Sequence, residues 1–303
     1  MSTDLRTRGS RRDTRRPRWR RIRQSTLGVA FLGVAIWGWL TYRADHHVFA
    51  WDGPVRVAFV ALLDQASGED DASDARFVDR FLSRVAPPHD SLRAVEDWIE
   101  RERQRHSGDE HRRFEFAVRG PLRVTTPPPA PPANDSSFWE RLHGTRALMA
   151  YFEEIASRDE LFLASYDVTV FVYFYDFYDQ DRSRIFGQLD SIANRRTRTG
   201  IVFAPISTEL RGNTCAVIAH ELCHTLGASD KYDDGHSVFP DGFVAPRSVP
   251  LYPQRSAEIM ALGRPVAPGR DELVTDLEDC RVGPVSAVEM NWRPEALKDA
   301  AIE

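Results

Sequence analysis

Eleven residues, His220-Glu221-Leu222-Cys223-His224-Thr225-Leu226-Gly227-Ala228-Ser229-Asp230, hold the residue types that metal-assisted hydrolysis needs, at spacings that let them act together. Residues four apart on a helix lie on one face, one turn above the other, so His220 and His224 can aim two imidazoles at one point. Zinc accepts neutral imidazole nitrogen at about 2.0–2.1 Å, in a closed tetrahedron or with three protein ligands and a water. Glu221, next to the first histidine, is placed to take a proton from a metal-bound water rather than to bind the ion. Gly227 falls where a helix stops on a residue of positive φ. A sharp turn there brings Asp230 back toward the histidines, where a carboxylate oxygen is an acceptable zinc ligand at about 2.0–2.2 Å. The bare HExxH pattern also arises by chance on buried helices; the Gly at the third residue after it and the Asp at the sixth sharpen it.

The stretch resembles the metzincin clan of zinc metallopeptidases, whose pattern is HExxHxxGxxH with a Met-turn further on. It departs from that pattern at the third ligand, Asp230 in place of His. That variant resembles the snapalysin-type secreted neutral proteases, in which the Asp is also followed by a Tyr two residues later; Tyr232 matches. Ser256-Ala257-Glu258-Ile259-Met260-Ala261 looks like a Met-turn, which implies Met260 as an apolar floor beneath the zinc. The specific similarity covers residues 213–232 and 256–263. It implies an α/β fold, a metzincin-like zincin domain with a twisted mixed sheet, an active-site helix and a smaller irregular C-terminal part. The implied cofactor is Zn2+, held by His220, His224 and Asp230 with Glu221 as general base; the implied substrate is a peptide or protein. Two other third ligands stay open. His236 lies twelve residues after His224, and Glu258 would suit a thermolysin-like arrangement in which a later helix supplies a Glu. A non-catalytic interaction domain with a structural zinc is the alternative, although such a site would not need Glu221.

The motif must ride on a helix, and the residues before it suit one. Asn213 or Thr214 can cap its start, and Cys215 to Ala219 with Leu222 are mostly apolar, as in a buried helix. Upstream, Val55–Leu63 is a continuous apolar run suited to a buried strand. Phe77–Val85 and Ser91–Arg105 read as helices, and Phe114–Val118 and Leu122–Thr126 as short strands. The prolines between 127 and 132 mark a stiff extended loop. Ser137-Phe-Trp-Glu140 is a capping box opening a helix to about Ala156. Tyr166–Tyr175, rich in β-branched and aromatic residues, is a strand, and 200–205 is a shorter one. Placed before the motif helix, that shorter strand is expected to be an edge to which an extended peptide adds. Region 70–130 exceeds a minimal domain and reads as an insertion; residues 231–259 read as irregular. A second capping box, Ser286-Ala-Val-Glu289, opens a late helix. Asp176, Asp179 and Asp181 lack the spacing of a calcium loop and read as a solvated turn.

The chain has 303 residues, 42% hydrophobic and 28% charged, which suits a globular protein. Its net charge of −5 is uneven. Residues 1–23 hold ten arginines against Asp4 and Asp13, a charge of +8, so the remainder carries −13. Leu27–Tyr42 follows without a charge, ending in Trp37, Trp39 and Tyr42. Sixteen residues span about 24 Å as a helix, and Ser25, Thr26 and a snorkelling Arg43 extend the reach toward the roughly 30 Å hydrocarbon core. The expected organisation is a basic cytoplasmic tail (1–24), a transmembrane signal anchor (25–43) and an extracytoplasmic metallopeptidase-like domain (44–303), oriented by the positive-inside rule. A signal peptide cleaved after Val48-Phe49-Ala50 is the rival. An arginine run abutting an apolar span is a topology signal rather than a nucleic-acid tail. Cys215 and Cys223, eight apart on one helix, stand about 12 Å apart and cannot bridge. Cys280 can pair with one of them, or all three are buried thiols. The oligomeric state is not encoded in any pattern.

Overall fold

The chain divides into residues 1–47 and 48–303, and the fold is that of the second unit. The computed structural model describes residues 49, 51–65, 71–83, 91–132, 136–187, 189 and 191–293. The expected tail and anchor at 1–24 and 25–43 lie outside the described residues. Among those described, no helix is long and apolar enough to cross a membrane.

Alternation along three strands builds the domain. In β1 (Val55–Asp64), Val57, Phe59, Ala61 and Leu63 enter one core while Val60 and Leu62 enter another. The same split recurs in the strands labelled below β3 and β5, Val170, Val172, Phe174, Val202 and Ala204 facing one way and Phe171, Tyr173, Ile201 and Phe203 the other. Strands buried on both faces read as continuous apolar runs and call for helices on either side. Accordingly α1 (Asp71–Leu82), α2 (Arg93–Ser107) and α5 (Arg211–Leu226) cover the first face, and α3 (Phe138–Arg158) with α4 (Gln180–Phe186) the second. Phe152 of α3 stacks on Phe171 with ring centroids 3.9 Å apart.

The five-stranded sheet is mixed. With β2 (Phe114–Val124), β3 (Val168–Asp176), β4 (Ile192–Asn194) and β5 (Thr199–Ile206), its order is β2-β1-β3-β5-β4. β2, β1, β3 and β5 are parallel, and β4 runs antiparallel to β5. The strand before the motif helix is therefore interior, not the edge that the sequence suggested. The chain returns through β4 before entering it, so β4 takes the outer place.

After α5 the chain is irregular, with three small strand pairings among the described residues. β6 (Tyr232–Asp233) faces β7 (His236–Ser237), β8 (Ala257–Glu258) lies beside β11 (Cys280–Arg281), and β9 (Gly263–Ala267) pairs with β10 (Arg270–Leu273). α6 (Pro284–Glu289) follows.

Several local expectations are corrected. The two strands expected between 114 and 126 are one, deformed at Gly120, where φ is +100° and an added Cβ would lie only 2.5 Å from the Ala61 carbonyl oxygen. α5 begins at Arg211 after Leu210, without a side-chain cap. Asn213 instead donates to the Val274 carbonyl at 3.2 Å, and Thr214 already lies in the first turn. The late helix starts at Pro284 behind Gly283, so Ser286 is an interior, buried residue rather than a cap. The capping box at Ser137 and Glu140 forms as expected. All three cysteines are free and buried.

Candidate metal centre

Helix α5 sets His220, Glu221 and His224 on the first-core side of the sheet and ends at Gly227, whose φ is +118°. The turn returns the chain as expected. Asp230 Oδ1 stands 3.1 Å from His224 Nε2 and 3.4 Å from His220 Nε2, and the two Nε2 atoms are 3.0 Å apart. Tetrahedral ligands at zinc distances would be about 3.3–3.4 Å from one another, so the triangle is within a few tenths of an ångström of a zinc cradle. Among the described residues these three form the one group of His, Cys, Asp and Glu side chains placed to hold a metal ion.

The donor chemistry fits a cation. His220 Nδ1 meets the Ile259 carbonyl and His224 Nδ1 the Ala228 carbonyl, both at 2.9 Å. A carbonyl only accepts, so each Nδ1 carries the hydrogen and each neutral ring turns a lone pair on Nε2 inward. Two such nitrogens and a carboxylate oxygen converge with no hydrogen of their own to share. The local field agrees. Burial would push the His224 imidazole down, but the close Asp230 carboxylate and the charge of Glu221 outweigh it, so its pKa is raised and a cation beside the ring is favoured. Burial likewise opposes ionisation of Asp230, yet contacts with His220 and His224 hold it well below the usual carboxylate range. Positive charge is favoured at the point the three atoms share.

The other candidates are elsewhere. His236 is exposed on β7 and outside the cluster. Glu258 is fully buried and accepts from the Gly283 and Met260 amides; burial raises its pKa despite them. It braces the turn instead of binding metal, and that turn carries both the Ile259 carbonyl that orients His220 and the buried Met260. Cys223 points into the core, where burial and then Glu258 and Glu102 push its thiol pKa up, against the thiolate a metal needs. Asp176 and Asp179 accept nearby amides, Asp179 as the cap of α4, which agrees with a turn rather than a calcium loop.

A cleft of about 850 Å³ opens over the triad. Glu221, only 3% exposed, lines it beside the histidines, as does Tyr232, 40% exposed. Ile192 and Ala193 of β4 form one wall; Pro131 and Pro132 of the proline segment also contribute. The sequence had pointed to Glu221 and Tyr232. It had not pointed to the Ile259 and Ala228 carbonyls, which are backbone groups without a residue-type signature, nor to the proline segment as part of the cleft.

Comparison with protein-family models gives no match for this chain, and comparison with curated proteins gives none.

Proposed function

We propose that the chain is a zinc-dependent endopeptidase of metzincin-like type, the Asp-ligand variant resembling snapalysin. The observation that carries this reading is the convergence of His220 Nε2, His224 Nε2 and Asp230 Oδ1 within 3.4 Å at the base of an open cleft, beside a buried glutamate. His220, His224 and Asp230 would hold the ion. Zinc, when bound, supplies Lewis acidity, lowering the pKa of water and polarising a carbonyl.

The remaining chemistry belongs to the chain. Glu221 accepts the proton of the attacking water and passes it to the leaving amine, the role of a general base turned general acid. The Ile259 and Ala228 carbonyls keep both imidazoles in the ligating tautomer. Tyr232 offers a phenolic O–H in the cleft wall to the charge that develops on the carbonyl oxygen. The outer side of β4 receives an extended peptide as an added strand. A site with three protein ligands opening into a cleft suits catalysis better than a structural zinc, which closes its fourth position with Cys or His. The apolar span at 25–43 would anchor the domain outside the membrane, with the arginine tail inside.

Glu221→Gln tests the reading. The expected result is zinc retained at one equivalent and peptide cleavage lost. Cleavage at the wild-type rate by the Gln variant refutes it.

A further inference from the structure

Of the three ligands, Asp230 has the least support of its own. Its side chain is 46% exposed, whereas the histidines sit on a buried helix with a carbonyl behind each ring. Its support comes from both neighbours. Lys231 is buried, 4% exposed, and its ammonium finds three acceptors: Glu289 Oε2 at 2.7 Å, Ser229 Oγ at 2.7 Å and the Ser229 carbonyl at 3.0 Å. Ser229 in turn donates its amide to Glu289 Oε2 at 3.0 Å and its hydroxyl to Glu289 Oε1 at 2.9 Å. The Lys231 amide donates to the Met260 carbonyl at 3.0 Å. The residues before and after Asp230 are thus tied to one carboxylate at the end of α6 and to the turn beneath the histidines. Burying an ammonium is costly unless it is paired and fully hydrogen-bonded, and neither Lys231 nor Glu289 has a part in the hydrolysis proposed above.

We propose that the buried Lys231–Glu289 pair, working through Ser229, is the positioning device for the third metal ligand; this rests on the zinc reading of the site. Lys231 and Glu289 are positioning residues. They fix the backbone of 229–231 so that Asp230 presents its oxygen where the two Nε2 atoms meet. Freed of these ties, the turn visits other conformations, and metal affinity falls by the fraction of time the carboxylate is away. Loss of partners that orient a metal ligand typically weakens binding 10- to 100-fold.

The test uses the full chain, stripped of metal, with zinc alone as probe in competition with a chromophoric chelator. The double variant Lys231→Met/Glu289→Met removes every tie made by the two side chains while roughly keeping volume, and leaves the Lys231 amide bond to the Met260 carbonyl in place. It is expected to bind zinc 10- to 100-fold more weakly, with a metal-free unfolding midpoint near that of the wild type. In an Asp230→Ala background the same double substitution is expected to change zinc affinity by less than about twofold, because its effect passes through Asp230. A further tenfold loss in that background, or wild-type affinity in the double variant, overturns the proposal. If the double variant does not fold, Lys231→Met/Glu289→Gln takes its place, and affinity within threefold of wild type overturns the proposal equally. Wild-type protein that takes up no zinc overturns the metallopeptidase reading itself, whereas wild-type binding with indifferent variants overturns this inference alone.

Discussion

Replacing Gly227 by Ala tests whether the turn after α5 delivers the third ligand. Gly227 has φ of +118°, and a Cβ there would lie 3.1 Å from the Glu289 carbonyl oxygen. Even an ordinary left-handed conformation costs an L-residue about 1–2 kcal/mol, and this φ lies well past that well, where costs run to about 3 kcal/mol. Relief of the close contact requires the end of α6 to move by a few tenths of an ångström, and its last residue holds Ser229 and Lys231. The expected loss is about 2–3 kcal/mol of stability in the metal-free protein. Urea unfolding with and without zinc separates the two consequences. Zinc at one hundred times its dissociation constant should add about 2.7 kcal/mol to the wild type. In Gly227→Ala, at the same zinc concentration, that increment should shrink by more than about 1.4 kcal/mol, a tenfold loss of affinity. Stability within about 0.5 kcal/mol of wild type refutes the strain reasoning, and a destabilised variant with an undiminished zinc increment refutes the link between the turn and the ligand.

Asp230→Ala removes the proposed third ligand, so zinc affinity by chelator competition should fall by more than the roughly 100-fold upper range for a residue that only orients a ligand; unchanged affinity removes Asp230 from the site. Burial, aided by Arg105, lowers the His106 pKa to about 4 against the Val282 hydrogen bond. The folded protein then binds fewer protons than the unfolded chain between pH 6.5 and 4, so this contribution is complete above pH 6.5 and is lost as pH falls. Denaturant titrations of zinc-free protein should show His106→Gln losing about 2–3 kcal/mol less than wild type between pH 6.5 and 4.5, and parallel profiles count against it. Phe152→Ala empties a stacked site on the far face of the sheet and should cost about 3–5 kcal/mol in urea while leaving zinc affinity unaltered; a loss under about 1 kcal/mol contradicts the packing described.

What the sequence made legible was periodic or local. The continuous apolar run of β1 announced a buried strand, the β-branched and aromatic residues of β3 announced another strand, and Ser137 with Glu140 announced the start of α3, because each signal lies within one element. The candidate metal triad was legible because its three members fall within eleven residues. Contacts distant in sequence were not. Glu289 reaches Ser229 and Lys231 across some sixty positions, and inspection of Ser286 to Glu289 alone suggested a helix cap, the wrong use for the right carboxylate. The short β4 escaped notice since three residues are too few to show alternation, and its omission made β5 look like the border of the sheet.

The brevity of β4 has a consequence of its own. An edge strand beside an open cleft invites two molecules to zip together along it, the usual opening move of aggregation. A three-residue rung supplies too few main-chain bonds to offset the freedom lost when two proteins associate. On the peptidase reading proposed above, a client peptide gripping the same rung would draw the rest of its affinity from side chains fitting the walls, and after scission each half would keep only part of that grip. Short length would thus guard the molecule against its own copies and, on the same reading, speed the departure of cleaved product.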